Sequence, residues 1–357
     1  MAEEKPKSSS AGPGNLNPRL AARLQRSKLP TAGELADGIL RGDRIMLSRA
    51  ITLIESKQAR HNELARDVIE RCLPHSGYSI RLAITGSPGA GKSTFIEALG
   101  QHLITSGRQV AVLAVDPSSQ VSGGSILGDK TRMEKLGQQE GAFVRPSPAG
   151  SSLGGVARKT RETIILCEAA GFNTVLIETV GVGQSEVAVH SMVDFFLLLL
   201  LPGAGDELQG IKRGIVEMAD AIVVNKADGD RETLAKQAQQ EYRNALHLLP
   251  ARESGWTPRV ERCSALQGAG IPDIWTLVES YWNATQKSGY FARKRREQAT
   301  YWLEQTIRNQ LEDMFYQDPT IRERLPALRA SVQAEQRSPF RVAEKLIQTF
   351  REGKKEV

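Results

Sequence analysis

Cysteine is scarce in this chain of 357 residues: Cys72, Cys167 and Cys263 lie far apart, and no C-x-x-C occurs. An odd, dispersed set supports neither a disulfide framework nor a zinc ribbon, and it fits a reducing compartment. Long apolar runs are also lacking. The longest, Phe195 to Leu201, is far short of the ~18–20 residues that a membrane span needs, so no membrane partner is expected. Residues 1–30 carry Glu3 and Glu4 and no apolar stretch, which argues against a secretory leader. The segment Arg19 to Arg26 keeps a transit peptide open. A cytoplasmic location is therefore the expectation, with the mitochondrial matrix reserved for a eukaryotic source.

What is present is ordinary for a globular protein: 40% hydrophobic and 25% charged residues. That composition excludes collagen-like, disulfide-scaffold and wholly disordered chains. A net charge of +6 raises nucleic-acid binding as a possibility, so the position of the charge matters. Residues 1–30 hold six Lys/Arg against two Asp/Glu, and residues 287–357 hold fifteen against ten. The remaining middle of the chain is net −3. The basic excess sits at the two ends.

Four regions follow. Residues 1–30, rich in Ser, Pro, Gly and Lys, read as a disordered tail. Residues 31–78 read as two or three helices, with Leu35, Ile39, Leu47, Ile51, Ile54, Leu64, Val68 and Cys72 at roughly helical spacing. Over residues 79–286 strands and helices alternate. Ile80–Ile84, Val110–Val115, Thr174–Ile177, Phe195–Leu201 and Ala221–Val224 read as buried strands, and Val260 begins a further one. Lys92–Ser106, Gly155–Ala170, Leu208–Met218 and Glu232–Leu249 read as helices. This alternation predicts an α/β fold with a mainly parallel sheet. Residues 287–357 read as a helical arm broken at Pro319 and Pro326.

The stretch Gly86-Ser87-Pro88-Gly89-Ala90-Gly91-Lys92-Ser93-Thr94 fits G-x-x-x-x-G-K-[ST] in full. A predicted strand precedes it and a predicted helix follows, which is the context of a phosphate loop. Glycines let backbone N–H groups turn inward around phosphate oxygens, and the helix presents its positive end to the same anion. Lys92 is expected on the β and γ phosphates and the Ser93 hydroxyl on Mg²⁺.

Polar residues gather where the other strands end. Asn225-Lys226-Ala227-Asp228 reads as a guanine reader. The Asp228 carboxylate accepts from N1–H and the 2-amino group, and adenine would leave it unpaired. Asn225 braces the loop and the Lys226 stem covers a base face. Ser264-Ala265-Leu266 follows in the expected order, with a backbone N–H near Ala265 to meet guanine O6. Asp116 and Glu178 are candidate Mg²⁺ ligands, with a cap or surface acid as the bland alternative for each. Asp129 stands evenly between metal ligand and N-cap. Gly181-Val182-Gly183-Gln184-Ser185 is either a switch loop or a static turn.

Together these residues resemble the MeaB/ArgK family, which includes the methylmalonic aciduria type A protein. The matching stretches are Gly89 to Phe95, Val115 to Ser119, Gly123 to Arg132, Glu178 to Glu186 and Asp206 to Gly214. The similarity runs from about Glu34 onward. It implies a Mg²⁺-dependent GTPase of the SIMIBI class of P-loop NTPases, with a C-terminal helical dimerisation arm. It also implies a chaperone role: gating adenosylcobalamin loading into methylmalonyl-CoA mutase and protecting that enzyme, the cobalamin belonging to the partner. By motif, Asp116, Asp129 and Glu178 join Lys92 and Ser93 in the metal and catalytic shell. Gln184–Glu186 falls in the second switch, and Lys212 becomes a catalytic lysine on a partner-sensing loop.

Other readings fit these residues less well. A metal-delivery GTPase of the same class wants His- or Cys-rich tracts, and here Cys72-x-x-His75 is the one close pair. A nucleotide-dependent kinase is opposed by the guanine-reading loop. A nucleic-acid binder would rest on Arg293-Lys294-Arg295-Arg296, which reads better as a solvated or dimer-arm face. Isobutyryl-CoA and ethylmalonyl-CoA mutases use the same cofactor as methylmalonyl-CoA mutase, so the partner's identity stays open at the level of sequence.

Overall fold

The computed structural model describes residues 29–56, 58–115, 133–146, 153–179, 186–203 and 213–353. At its centre, β1 (Ile80–Gly86) is buried along its whole length. It pairs in parallel with β4 (Thr174–Thr179) on one side and β5 (Phe195–Leu200) on the other. Outward lie β2 (Val110–Val115) and β3 (Ala142–Arg145), then β6 (Ala221–Val224) and β7 (Arg259–Arg262) on the opposite flank. The order is β3-β2-β4-β1-β5-β6-β7, and every pairing is parallel. The strands read as continuous apolar runs because helices cover both faces.

Each face has its own apolar core. Ala83 of β1 faces α1 (Ala32–Leu40), α2 (Arg44–Glu55), α3 (Ala59–Cys72) and α6 (Leu153–Ala169). Leu82 and Ile84 face α4 (Lys92–Thr105) and α10 (Ile271–Lys287) through Phe95, Ile96, Ile274 and Val278. Between these lie the short α5 (Glu134–Gly137), α7 (Glu186–His190), α8 (Arg213–Met218) and α9 (Glu232–Leu246). The chain then runs out through α11 (Tyr290–Tyr316), α12 (Pro319–Gln333) and α13 (Pro339–Gly353). No helix among the described residues is long and apolar enough to cross a membrane.

The sheet matches the predicted parallel architecture, with differences at its edges. β3 was not anticipated. It is a four-residue edge strand, too short to leave a periodic signal. β1 and β4 each run two residues past their apolar runs, because Thr85 and Thr179 stay in register and share a buried hydrogen bond of 2.9 Å. Pro326 does not break the arm: it lies inside α12. Pro319 instead sits in the first turn, where its missing N–H is no loss, and Asp318 caps that turn by accepting from Thr320 and Ile321.

The basic run at residues 293–296 is also not a solvated face throughout. Arg293 and Arg296 are exposed, but Lys294 is buried. Arg295 donates from Nε and Nη2 to the buried carboxylate of Asp194, at 2.9 and 2.7 Å. Beside it, Arg81 forks onto Glu168 with two bonds of 2.8 Å. Burial alone would raise both carboxyls. Arg295 and then Arg81 outweigh it for Asp194, as Arg81 and then Arg295 do for Glu168, so both are held below the usual carboxylate range. This network fixes the amino ends of β1 and β5.

Candidate functional site

The candidate site lies at the carboxyl ends of β1, β4, β6 and β7, where a parallel sheet exposes its loops. β1 delivers Gly86 into the loop that opens α4. A Cβ on Gly86 would lie 2.2 Å from the Leu199 carbonyl oxygen of β5. That close approach explains the glycine and sets the loop directly over the sheet. Ser87, Ala90 and Lys92 are buried, whereas Pro88, Gly89 and Thr94 face outward. The Lys92 ammonium donates to the carbonyl oxygens of Gly86 and Ser87 at 2.9 and 3.1 Å, so its charge is held across the mouth of the loop.

Ser93, on the first turn of α4, donates to Glu178 Oε1 at 2.9 Å. Glu178 comes from β4, 85 residues away. A hydroxyl and a carboxylate side by side beneath a phosphate loop form a hard-oxygen donor set of the kind Mg²⁺ prefers. These residues fit that ion. The structure thus brings together Lys92, Ser93 and Glu178. Asp116, Asp129 and Lys212 lie outside the described residues, as do Gln184 and Ser185.

β6 and β7 supply the other half. Asn225 is buried and joins three segments. Its Nδ2 donates to the Ala90 carbonyl of the phosphate loop at 2.8 Å, and its Oδ1 accepts from the Ala265 N–H at 3.0 Å. The Cys263 thiol also leans on that oxygen at 3.4 Å. Burial, with Asp228 nearby, pushes this thiol up to about 12, so it stays protonated and acts as a donor. Lys226 adopts a left-handed conformation, φ 58°, uncommon for a residue with a side chain. Its stem passes close to Gly91, where a Cβ would meet Lys226 Cε at 3.8 Å and Asn225 Nδ2 at 2.7 Å. Asp228 Oδ2 accepts from the buried Ser264 hydroxyl. Such a bond fixes the carboxylate's orientation.

The Ala265 N–H is committed to Asn225, and the next backbone N–H belongs to the exposed residue Leu266. The loop holding them is closed by a bridge between Ser264 and Ala269 and by Gly270, whose φ is 76° and whose Cβ would meet the Arg262 carbonyl oxygen at 2.6 Å. Sequence reasoning missed Cys263 and the Thr85–Thr179 pair, which support the site from behind. The spacing of a motif carries no signal for either.

A phosphate-loop lysine, a serine–carboxylate pair and a braced N-K-x-D loop now stand at one end of one parallel sheet. The family model for "Methylmalonyl Co-A mutase-associated GTPase MeaB" matches residues 47–320. This chain belongs to the MeaB family. Among its relatives, the Escherichia coli GTPase ArgK is 49% identical over 285 residues, covering 79% of this chain and 86% of ArgK. The mouse mitochondrial methylmalonic aciduria type A homolog is 46% identical over 327 residues, covering 89% of this chain and 79% of the mouse protein. A crystal structure described as an LAO/AO transport system kinase superposes with a TM-score of 0.72 at 36% identity, covering 91% of this chain and all of that one. This MeaB-family protein is a GTPase with the P-loop fold, an all-parallel seven-stranded sheet and a helical C-terminus.

Proposed function

We propose that this GTPase works as a chaperone of an adenosylcobalamin-dependent acyl-CoA mutase, gating cofactor loading and protecting the loaded enzyme. The family description, which ties these proteins to methylmalonyl-CoA mutase, carries the reading. The name of the mouse relative supports it. Methylmalonyl-CoA mutase is the first partner to test.

At the site, Asp228 and the Leu266 N–H read the guanine edge, Asn225 keeps that reader in register with the phosphate loop, and Lys92 moves from its loop carbonyls onto the β and γ phosphates. Ser93 and Glu178 would hold Mg²⁺, with Asp116 and Asp129 in the same shell. When bound, that ion offsets charge on the β,γ oxygens. Lys212 supplies further positive charge in the complex with the partner, so basal turnover is slow and the partner raises it. The tail at 1–30, the helical region at 31–78, the GTPase domain at 79–286 and the arm at 287–357 are proposed as working units. The arm is proposed to hold two copies together, supported by exposed Leu303, Ile307 and Leu311 along α11.

The test is GTP hydrolysis alone and with methylmalonyl-, isobutyryl- or ethylmalonyl-CoA mutase, with ATP as control. Stimulation by one mutase is the expected result. Equal turnover with and without all three would sink the chaperone reading. Turnover of ATP with phosphate passing to an acceptor would favour the kinase described for the structural neighbour. Lys212→Ala is expected to abolish stimulation while leaving basal turnover measurable.

A further inference from the structure

One stripe of α11 forms a hydrogen-bonded ladder with the short segment that joins α7 to β5. The Lys294 ammonium donates to the Asp194 carbonyl at 2.7 Å. One turn later, Gln298 Nε2 donates to the Val193 carbonyl at 2.8 Å. One turn later again, the Trp302 indole N–H donates to the Ser191 carbonyl at 3.0 Å. The spacing i, i+4, i+8 is one face of a helix, and all three side chains are buried. As α11 advances, its targets step back along the chain toward α7. Arg295 pins the Asp194 side chain alongside, and the Arg161 guanidinium lies 5.7 Å from the Trp302 ring.

The segment being held matters. Residues 191–194 are all that separates α7 from β5, and Ser191 and Met192 continue the last turn of α7 by donating to Val187 and Val189. α7 opens with the buried Glu186, which falls in the second switch by the resemblance above. On its other side, Asp194 Oδ2 accepts the Arg81 N–H at 2.9 Å, at the start of the strand that ends in the phosphate loop. The ladder therefore grips the base of the switch helix and is tied to the strand beneath the nucleotide.

The polar character of the ladder also calls for a reason. A stripe of leucines would anchor α11 at least as well, because buried polar groups bring desolvation costs that apolar ones avoid. Gln298 Oε1 is buried without a hydrogen-bond partner among the described residues. Its amide is thus kept for the single bond it donates. Directional bonds fix a position along the chain in a way that apolar contact does not. Beyond the ladder, the second half of α11 carries exposed Leu303, Ile307, Leu311 and Met314. A helix of 27 residues extends about 40 Å, so whatever seats on that exposed half acts on a rigid lever whose other end is the ladder.

We infer that Gln298 and Trp302 are positioning residues for GTP hydrolysis. Through the carbonyls of Val193 and Ser191 they set where α7 and Glu186 stand, and they make the state of the arm legible at the nucleotide. This rests on the reading of Gln184–Glu186 as the second switch.

The experiment uses the full-length protein and the variants Gln298→Met and Trp302→Phe, each of which removes the side-chain N–H that donates to the ladder carbonyl. GTP affinity is expected to stay within about twofold of wild type while kcat changes by roughly fivefold, the scale of coupling through a packed network. A spectroscopic readout separates positioning from anchoring. Tryptophan emission of the wild type is expected to differ between GDP and a non-hydrolysable GTP analogue. Trp302→Phe should lose that difference, with Trp256, Trp275 and Trp282 still in place. Wild-type kcat in both variants, or a full emission change in Trp302→Phe, overturns the inference. Loss of affinity and kcat in parallel with a lowered Tm overturns it too, since that marks an anchor alone. Glu186→Gln reports on the underlying reading: if it turns over GTP at the wild-type rate, the switch assignment fails. A slow Glu186→Gln beside normal ladder variants fails the ladder only.

Discussion

Asn225 donates to the Ala90 carbonyl at 2.8 Å, so a side chain from β6 holds the main chain of the phosphate loop. The same amide accepts from Ala265 on the far side. The loop that Asn225 opens and the phosphate loop are thus one object, joined through one buried amide.

Asn225→Ala is expected to weaken GTP by tenfold or more, since each lost buried bond leaves a polar group unpaired at about 1–3 kcal/mol. Both Ala90 O and Ala265 N–H are affected. Titration with a fluorescent GTP analogue checks affinity, and a thermal melt should show a lower Tm. Affinity within twofold of wild type would refute the brace.

Asp228→Asn should change which base is bound. The amide keeps a partner for Ser264 but offers guanine a donor where it needs an acceptor. Discrimination should shift toward xanthosine triphosphate by roughly a hundredfold or more. Competition between the two nucleotides measures it, and an unchanged preference would remove Asp228 from the base site.

Two glycines of the phosphate loop should behave differently. Gly86→Ala places a methyl 2.2 Å from the Leu199 carbonyl oxygen, which forces β1 from β5 and is expected to cost about 3 kcal/mol or more. Gly89→Ala meets nothing within 4 Å, but its φ is +82°, so the cost is the left-handed backbone alone, about 1–2 kcal/mol. Urea unfolding of both variants checks the order. Equal losses would mean that the close approach is not what the glycine is for.

His190 gives stability a pH dependence. It stacks edge-on against Phe196 at 5.6 Å. Burial, then the nearby Lys294 and Arg252, lowers its pKa from 6.5 to about 4. Between those values the unfolded chain binds a proton and the folded chain does not, so stability falls as pH drops from 6.5 toward 4. About 2 kcal/mol should be lost between pH 7 and pH 5. His190→Phe should flatten that interval, leaving the steeper loss below about pH 5 that comes from Asp194 and Glu168. Urea midpoints at pH 7 and pH 5 decide it. A slope that survives the substitution assigns the effect to another group.

The motifs of the candidate site were legible because each is contiguous. Gly86 to Thr94 and Asn225 to Asp228 are runs in which geometry follows from neighbours in sequence, so residue type and spacing suffice. Apolar runs revealed five strands because parallel strands are buried on both faces. β3 escaped because four residues at an edge bury too little to set a period. Pro326 misled because an interior proline costs a helix one hydrogen bond but need not end it, and here it lies inside α12.

By itself, the sequence determined a P-loop GTPase core and a basic excess confined to the chain's ends. It could not say what that excess does. The run at 293–296 looks the same whether its charges meet water, a second copy or buried carboxylates. Only tertiary structure decided that Arg295 closes on Asp194 and that Lys294, Gln298 and Trp302 reach the carbonyls behind α7. Those partners lie about a hundred residues apart in the chain. Pairing at that distance is fixed by how α11 packs on the sheet, which no local pattern encodes.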